Sequence, residues 1–479
     1  MVGRRSWLLV LVLVLVGALL RLPLLASRPF WFDELGQLSV SEVPTIGALI
    51  QRTEENERAP PGYALLLHGV VGVGGDSEWV ARLPSFVAGV ASIVMAFLAG
   101  KRWSSARAGL IFAALVAVSP PFVFFAREAR PYSLGAFAVF WLLAAAPRAG
   151  ADTRSTLFFA LAVVACAVMQ WLSGLVAAVV IAVSAFVPSA RNGGRSSRNA
   201  LLVGSALGVL VLLLEVPILV AELHVRGVGG GFLEGSFYEP RDVMGFARHK
   251  VPELLHWLVV GRPGLLTVVI DLWRLPLDDL PAILVAVAAA LALPRRVACV
   301  ALVPLAIVFV AAGIHLHPFG GIRHCLPLAP GIFLLIACGL DELGRHSRAI
   351  SGLVAAALVA CSAHGIHDVR DWYFEDVPGV LADARAAARE GDVLFVESWS
   401  QPAFKHYGAW SGPVVVGEAH EIETSLTKGK RVWVLYAREH EGPVLRAEAR
   451  LSETFSVKQT IERRHGVIYV RATLWDVRR

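Results

Sequence analysis

Trp7 to Leu20 is an almost unbroken run of Leu and Val that ends at Arg21-Leu22-Pro23, and comparable apolar runs recur along most of the chain. Crossing a hydrocarbon core of about 30 Å takes roughly 20 apolar residues in a helix. Charged residues make up 17% of the chain and hydrophobic residues 56%, against about 25% charged in an ordinary soluble domain. Together these features predict a polytopic α-helical membrane protein. The five cysteines (Cys166, Cys299, Cys325, Cys338 and Cys361) fall in or beside apolar segments without metal-ligand spacing, and read as small buried hydrophobes.

Eleven spans are expected, near 6–25, 79–100, 106–126, 131–148, 155–172, 173–189, 200–221, 279–294, 297–314, 325–341 and 349–365. The sixth begins after a tight turn at 172–173. Arg4-Arg5 ahead of the first run also fits a cleavable signal peptide, but an uncleaved first helix is the preferred reading. Alternate loops collect Arg4, Arg5, Lys101, Arg102, Arg107, Arg148, Arg154, Arg191, Arg195, Arg198, Arg295, Arg296, Arg345 and Arg348, against only Asp152, Asp341 and Glu342. The positive-inside rule makes that side cytoplasmic. The N-terminus is then inside and the C-terminus outside, with a bacterial inner (plasma) membrane as the expected location.

Three regions fall on the outer side. Residues 26–78 form a long acidic loop. Residues 222–278 hold a Gly-rich stretch and then an amphipathic helix near Met244 to Val260, with Trp257 suited to the membrane interface. The tail, 366–479, changes composition. A helix is expected from Asp376 to Glu390. Short apolar runs at Val393–Val396, Val414–Val416 and Val432–Leu435 alternate with helical stretches, and Ser456–Ile461 and Gly466–Ala472 read as a closing hairpin. The tail is therefore expected to be a small α/β domain, and it has no Gly-rich phosphate loop after a strand.

Four groups carry chemistry. Asp33-Glu34 sits inside the aromatic frame Trp31-Phe32, where an acidic pair next to a span points to proton or cation chemistry: a general base and a neighbour that tunes it. Glu57-Arg58-Ala59-Pro60-Pro61-Gly62-Tyr63 precedes an apolar helix carrying His68; Arg58 is a candidate phosphate contact or a solvated capping charge, and a lone histidine on such a helix is more often structural. Arg127-Glu128-Ala129-Arg130-Pro131-Tyr132 puts two arginines on the outer side, where they either meet a lipid phosphate or snorkel among bulk headgroups. His315, His317, Arg323 and His324 form the last group, and the histidines alone are weak evidence for a metal. Carboxylates and arginines at headgroup depth suit transfer of a group from a lipid phosphate.

Asp33-Glu34, Pro60-Pro-Gly-Tyr63, Trp79-Val-Ala-Arg-Leu-Pro-Ser85, Ala126-Arg-Glu-Ala-Arg-Pro-Tyr-Ser133 and Arg323-His-Cys-Leu-Pro-Leu-Ala-Pro330 occur in the order of a known family. Over residues 1–365 the chain resembles the family 39-type integral membrane glycosyltransferases of the GT-C superfamily, which include protein O-mannosyltransferases and aminoarabinose transferases. The resemblance implies the GT-C fold, a polyprenyl-phosphate-linked sugar donor and inverting single displacement on the exoplasmic (periplasmic) face. By the same resemblance Asp33 is the base and Glu34 its companion. Arg127, Arg130, Tyr132 and Arg323 fall on the family's donor-phosphate motifs, with Arg58 standing one position before the usual basic place; apart from the resemblance, Glu57, His68, Glu128 and His324 are candidate support or substrate contacts. His324 stands where the family usually has Tyr, and Ala59 where relatives often place Lys, His or Asp. No cofactor is required by this reading; a divalent metal near Asp33 is left open. The expected partners are the donor lipid, the bilayer and an acceptor (protein, lipid or glycan), and no nucleic acid. The competing class is a transporter or lipid-linked-sugar flippase; no internal repeat is visible, and the charged candidates lie at span ends and not midway.

Overall fold

A computed structural model describes residues 4–57, 59–186, 206, 236–237, 242–261, 295–369, 375–408, 410–417, 421–422, 431–438, 452, 455–465 and 468–477. The expected spans at 200–221 and 279–294, and most of the loop 222–278, lie outside them. The chain forms two compact units. One comprises residues 1–23, 40–75 and 81–369; the other comprises 24–39, 76–80 and 370–479.

The first unit is helical. Its elements are α1 (Arg4–Arg21), the end of α2 (Phe32–Ser41), α3 (Ile46–Arg52), α4 (Gly62–Gly74), α5 (Glu78–Trp103), α6 (Ala106–Val118), α7 (Pro120–Phe125), α8 (Tyr132–Ala145), α9 (Thr153–Met169), α10 (Trp171–Phe186), α11 (Val243–Val260), α12 (Arg295–Gly313), α13 (Ala329–His346) and α14 (Arg348–Val369). Among the described residues, four helices are long and apolar enough to cross a membrane: Glu78–Trp103, Arg296–Gly313, Arg323–His346 and Arg348–Ile366. Shorter apolar helices include Ala106–Val118, Tyr132–Arg148 and Thr153–Met169. On α1, Leu8, Leu11, Val12, Leu15 and Leu19 are all exposed. That is the surface of a helix whose solvent is lipid.

The third expected span is broken where Pro120 and Pro121 follow Ser119. A proline has no N–H to give to the carbonyl four residues back, so the carbonyls of Val116 and Ala117 lose their helical donors. Arg21, fully buried, supplies them: Nη2 donates to Val116 O and Nη1 to Ala117 O, each at 2.9 Å. One guanidinium thus replaces two missing amides, as its planar fork of donors permits. The chain restarts as α7, all of whose residues are buried, and delivers Arg127.

Elsewhere the differences from expectation are local. The break between the fifth and sixth spans is at Gln170, which is extended (φ −162°, ψ 138°), two residues before the expected junction. A Cβ on Gly135 would stand 2.5 Å from Gln170 Oε1 and 2.9 Å from Ser173 Oγ, so α8 approaches this break where it carries no side chain. Trp257 faces the protein and not the lipid. It is 1% exposed and packs its ring edge-on against Phe125 at 6.2 Å. Leu254 through Val259 are buried in succession, so the end of α11 belongs to the interior of this unit.

The second unit holds residues 24–39, 76–80 and the tail. In the tail, α15 (Val377–Ala387) is capped by Asp376, whose carboxylate accepts from Gly379 N–H at 3.0 Å. The sheet comprises β1 (Val393–Glu397), β2 (Val414–Gly417), β3 (Val432–Arg438), β4 (Phe455–His465) and β5 (Ile468–Val477), in the order β2-β1-β3-β5-β4. β1 pairs in parallel with both β2 and β3, while β5 pairs antiparallel with β3 and β4. The short helix α16 (Gln401–Tyr407) lies between β1 and β2 in the chain. Parallel neighbours need a crossover, which accounts for the alternation of apolar runs and helical stretches. Phe395, Val432, Val434, Tyr436 and Trp475 form the core beneath the sheet.

Candidate functional site

The acidic motif belongs to the second unit. Trp31 precedes α2, and Asp33 and Glu34 lie in its first turn. The two carboxylates are treated differently by the fold. Glu34 is fully buried; its Oε2 lies 3.6 Å from Arg28 Nη2, itself 1% exposed. The same oxygen accepts from Trp31 N–H at 3.4 Å. This is the geometry of a glutamate three residues into a helix reaching back to satisfy an orphan amide. Asp33 is only partly buried. Of the pair, Asp33 is the less buried residue, and Glu34 is built into the helix start.

Side chains of the tail meet this loop within the same unit. Phe30 N–H donates to Tyr407 Oη at 2.6 Å, and the hydroxyl donates to Glu78 Oε1 at 2.7 Å. Phe32 N–H donates to Glu375 Oε2 at 3.1 Å. Burial, reinforced by the Glu78 carboxylate, pushes the Tyr407 phenol well above its usual range, so the hydroxyl keeps the proton it gives to Glu78.

The arginine motif belongs to the first unit. The turn after α7 buries Arg127, Glu128 and Arg130, which are 3%, 0% and 9% exposed. Burial to that degree is inconsistent with arginines snorkelling in bulk headgroups. Arg127 Nη1 donates to Pro23 O at 3.3 Å. Arg130 Nη1 meets Glu57 Oε2 at 2.8 Å. The turn is tied to α5: Ser85 Oγ donates to Arg130 O at 3.1 Å, and Ser133 Oγ donates to Ser85 O at 3.0 Å. Ser85 and the Arg130–Ser133 stretch thus hold each other.

Tyr132 gathers the remaining members. The guanidinium carbons of Arg130 and Arg323 each lie 5.8 Å from its ring centroid, within reach of a cation–π contact. His324 stands edge-on to the same ring at 5.9 Å, and His317 lies 6.5 Å from His324. The chain reaches Arg323 through Gly320, whose φ of 144° suits glycine. Gly321 N–H donates to Glu253 Oε1 at 3.1 Å, and Lys250 Nζ pairs with Glu253 Oε2 at 2.7 Å. Glu57, Arg130, Tyr132, Arg323 and His324 therefore form one cluster.

The other candidates divide. His68 Nδ1 lies 2.7 Å from Ser41 O; a carbonyl can only accept, so this nitrogen carries the proton and ties α4 to the end of α2. Arg58 lies outside the described residues. Just beyond it, a Cβ on Gly62 would stand 2.4 Å from Val168 O and 2.9 Å from Val168 C, so the Pro-Pro-Gly-Tyr turn abuts the backbone of α9. Gly62→Ala is expected to lower the stability of the purified protein by about 1–3 kcal/mol, the usual cost of overpacking. An unchanged melting midpoint would remove this contact. Among the described residues no group of three or more His, Cys, Asp and Glu side chains is placed to hold a metal ion. Tyr407, Glu375, Glu78 and Arg28 were not singled out from sequence. Only Arg28 and Glu78 lie in the acidic loop itself; Tyr407 and Glu375 are more than 340 residues from their backbone partners.

Residues 58–220 match the family model described as dolichyl-phosphate-mannose-protein mannosyltransferase. The chain is similar to the crystal structure of ArnT from Cupriavidus metallidurans in the apo state, at 14% identity, 97% coverage of each chain and a TM-score of 0.50. The same protein bound to undecaprenyl phosphate matches at 16% identity, 98% coverage of each chain and a TM-score of 0.50. The mycobacterial arabinofuranosyltransferase AftD matches at 15% identity over 100% of this chain and 40% of that one, with a TM-score of 0.51. A comparison with curated protein sequences finds no match. Over nearly its whole length the chain has the fold of these solved structures, and the family model covers the stretch that holds the arginine motif.

Proposed function

We propose that this chain is a glycosyltransferase that moves a sugar from a polyprenyl-phosphate-linked donor to an acceptor on the exoplasmic face, by a single inverting displacement. The carrying observation is the family match over 58–220, which contains the buried arginine turn and the tyrosine it leads into. Asp33 accepts the proton of the acceptor hydroxyl as its oxygen attacks the anomeric carbon. The bond from that carbon to the phosphate oxygen breaks, and the electron pair leaves with the phosphate. Arg127, Arg130 and Arg323 stabilise the developing charge, with Tyr132 as the platform on which Arg130 and Arg323 rest. Glu34 and Glu57 hold Arg28 and Arg130 in place, and Arg58 is retained as a phosphate contact from the motif alone.

The reading places eleven spans in an inner membrane, with the N-terminus cytoplasmic and the tail outside. It is supported by the loop charges, by the lipid-facing side of α1 and by a fold shared with ArnT, a protein solved with undecaprenyl phosphate bound. Purification in detergent followed by mass spectrometry of the retained lipids tests it. A polyprenyl-phosphate sugar held by Asp33→Asn is the expected result and identifies the sugar. Only bulk phospholipid, including after incubation with polyprenyl-phosphate mannose, would move the reading to a transporter or scaffold.

A further inference from the structure

Phe30, Trp31 and Phe32 present three consecutive backbone amides, and each donates to a side-chain oxygen: Tyr407 at 2.6 Å, Glu34 at 3.4 Å and Glu375 at 3.1 Å. The next residue is Asp33. A loop joining a span to a short helix would ordinarily leave such amides to water. Here two of the three acceptors come from the tail, and all of these residues lie in one compact unit. Phe30 is fully buried and meets the His406 ring edge-on at 5.4 Å. Tyr407 is oriented in turn by Glu78, at the start of α5.

We propose that Tyr407 and Glu375 are positioning residues, and that the tail domain serves the transfer reaction by fixing the backbone that carries Asp33. The proposal rests on the assignment of Asp33 as base. A general base acts only within hydrogen-bond reach of the proton it takes, and displacement of the order of 1 Å is enough to cost about 10²-fold in rate. Tyr407 acts through its hydroxyl, which closes a relay from the Phe30 amide to the Glu78 carboxylate. Glu375 acts as a remote cap: a carboxylate at the first amide of α2 also complements the positive end of the helix. The tail needs no site of its own for this role.

The test uses the full-length protein in detergent. Tyr407→Phe keeps the ring and removes the hydroxyl. It is expected to speed hydrogen exchange at the amides of residues 30–34 and to lower kcat for polyprenyl-phosphate mannose, or for the donor found to co-purify, about tenfold or more. KM for that donor and the affinity for undecaprenyl phosphate stay at wild-type values. Glu375→Ala should behave in the same way, while Glu375→Gln, whose amide oxygen still accepts, should restore most of kcat. Glu375→Ala also keeps the question answerable should Tyr407→Phe fold poorly. Wild-type exchange in Tyr407→Phe and Glu375→Ala overturns the anchoring, and so does wild-type kcat in both. A fall in donor affinity parallel to kcat overturns the positioning role in favour of a structural one. Asp33→Asn serves as the separate control, expected to keep wild-type exchange while losing turnover. If it turns over normally, the base assignment fails, whereas the exchange result still decides the anchoring.

Discussion

Asp33→Asn lowers the rate of sugar transfer by about 10²-fold or more, the usual scale for loss of a positioned base, and leaves donor affinity unchanged. Asparagine keeps the size and one oxygen of aspartate but cannot take a proton at neutral pH. The two carboxylates of the motif separate in this experiment because the fold separates them. Glu34 is fully buried opposite Arg28 and closes the first turn of α2 through the Trp31 amide. Glu34→Gln therefore removes the charge facing a buried guanidinium and acts on stability as well as rate. Asp33 is the less buried residue of the pair and takes part in neither of these contacts. Purified Asp33→Asn with near-normal turnover would take Asp33 out of the mechanism and leave the arginines as the only assigned catalytic groups.

What was legible in the sequence followed from local physics. Apolar runs gave the helices because a backbone in hydrocarbon must bond within itself. The tail's strands were visible as short Val-rich runs, and β4 and β5 as alternating segments, because a half-buried strand repeats every two residues. The arginine turn was legible for a different reason: charged groups at a span end are costly enough to demand an explanation. Long-range replacements of missing hydrogen bonds left no such trace. Nothing around Arg21 indicates that it serves the carbonyls ahead of Pro120 and Pro121, because the donor and its acceptors lie about a hundred residues apart. Trp257 carried the pattern of an interfacial aromatic, and only the folded chain shows it packed against Phe125 and Gly321 inside the protein. Tyr407 and Glu375 sit in the tail among ordinary helix and loop residues, and only the folded chain brings them to the backbone beside Asp33.

Arg130→Ala is expected to weaken the binding of undecaprenyl phosphate about tenfold or more, since a hydrogen bond to a charged group contributes about 1.5–3 kcal/mol. The expectation can be separated from mere damage by the partner of Arg130. Glu57 now occupies one guanidinium nitrogen at 2.8 Å, and both side chains keep a little exposed surface, 10% for Arg130 and 15% for Glu57. If the pair existed only to hold the turn together, Glu57→Gln and Arg130→Ala would be equally harmful to stability, and neither would act selectively on the lipid. If Arg130 meets phosphate, Glu57 competes with the ligand for the same donors. Glu57→Gln should then bind undecaprenyl phosphate as tightly as wild type or more tightly, while Arg130→Ala binds it weakly. Arg130→Lys should recover only part of the affinity, because an ammonium lacks the planar fork that engages an oxyanion with two parallel bonds. Titration of the purified variants with undecaprenyl phosphate reads all three. Equal affinity in Arg127→Ala, Arg130→Ala and wild type would return both arginines to a structural role and leave Arg323, which also lies over the Tyr132 ring, as the remaining described candidate for the phosphate.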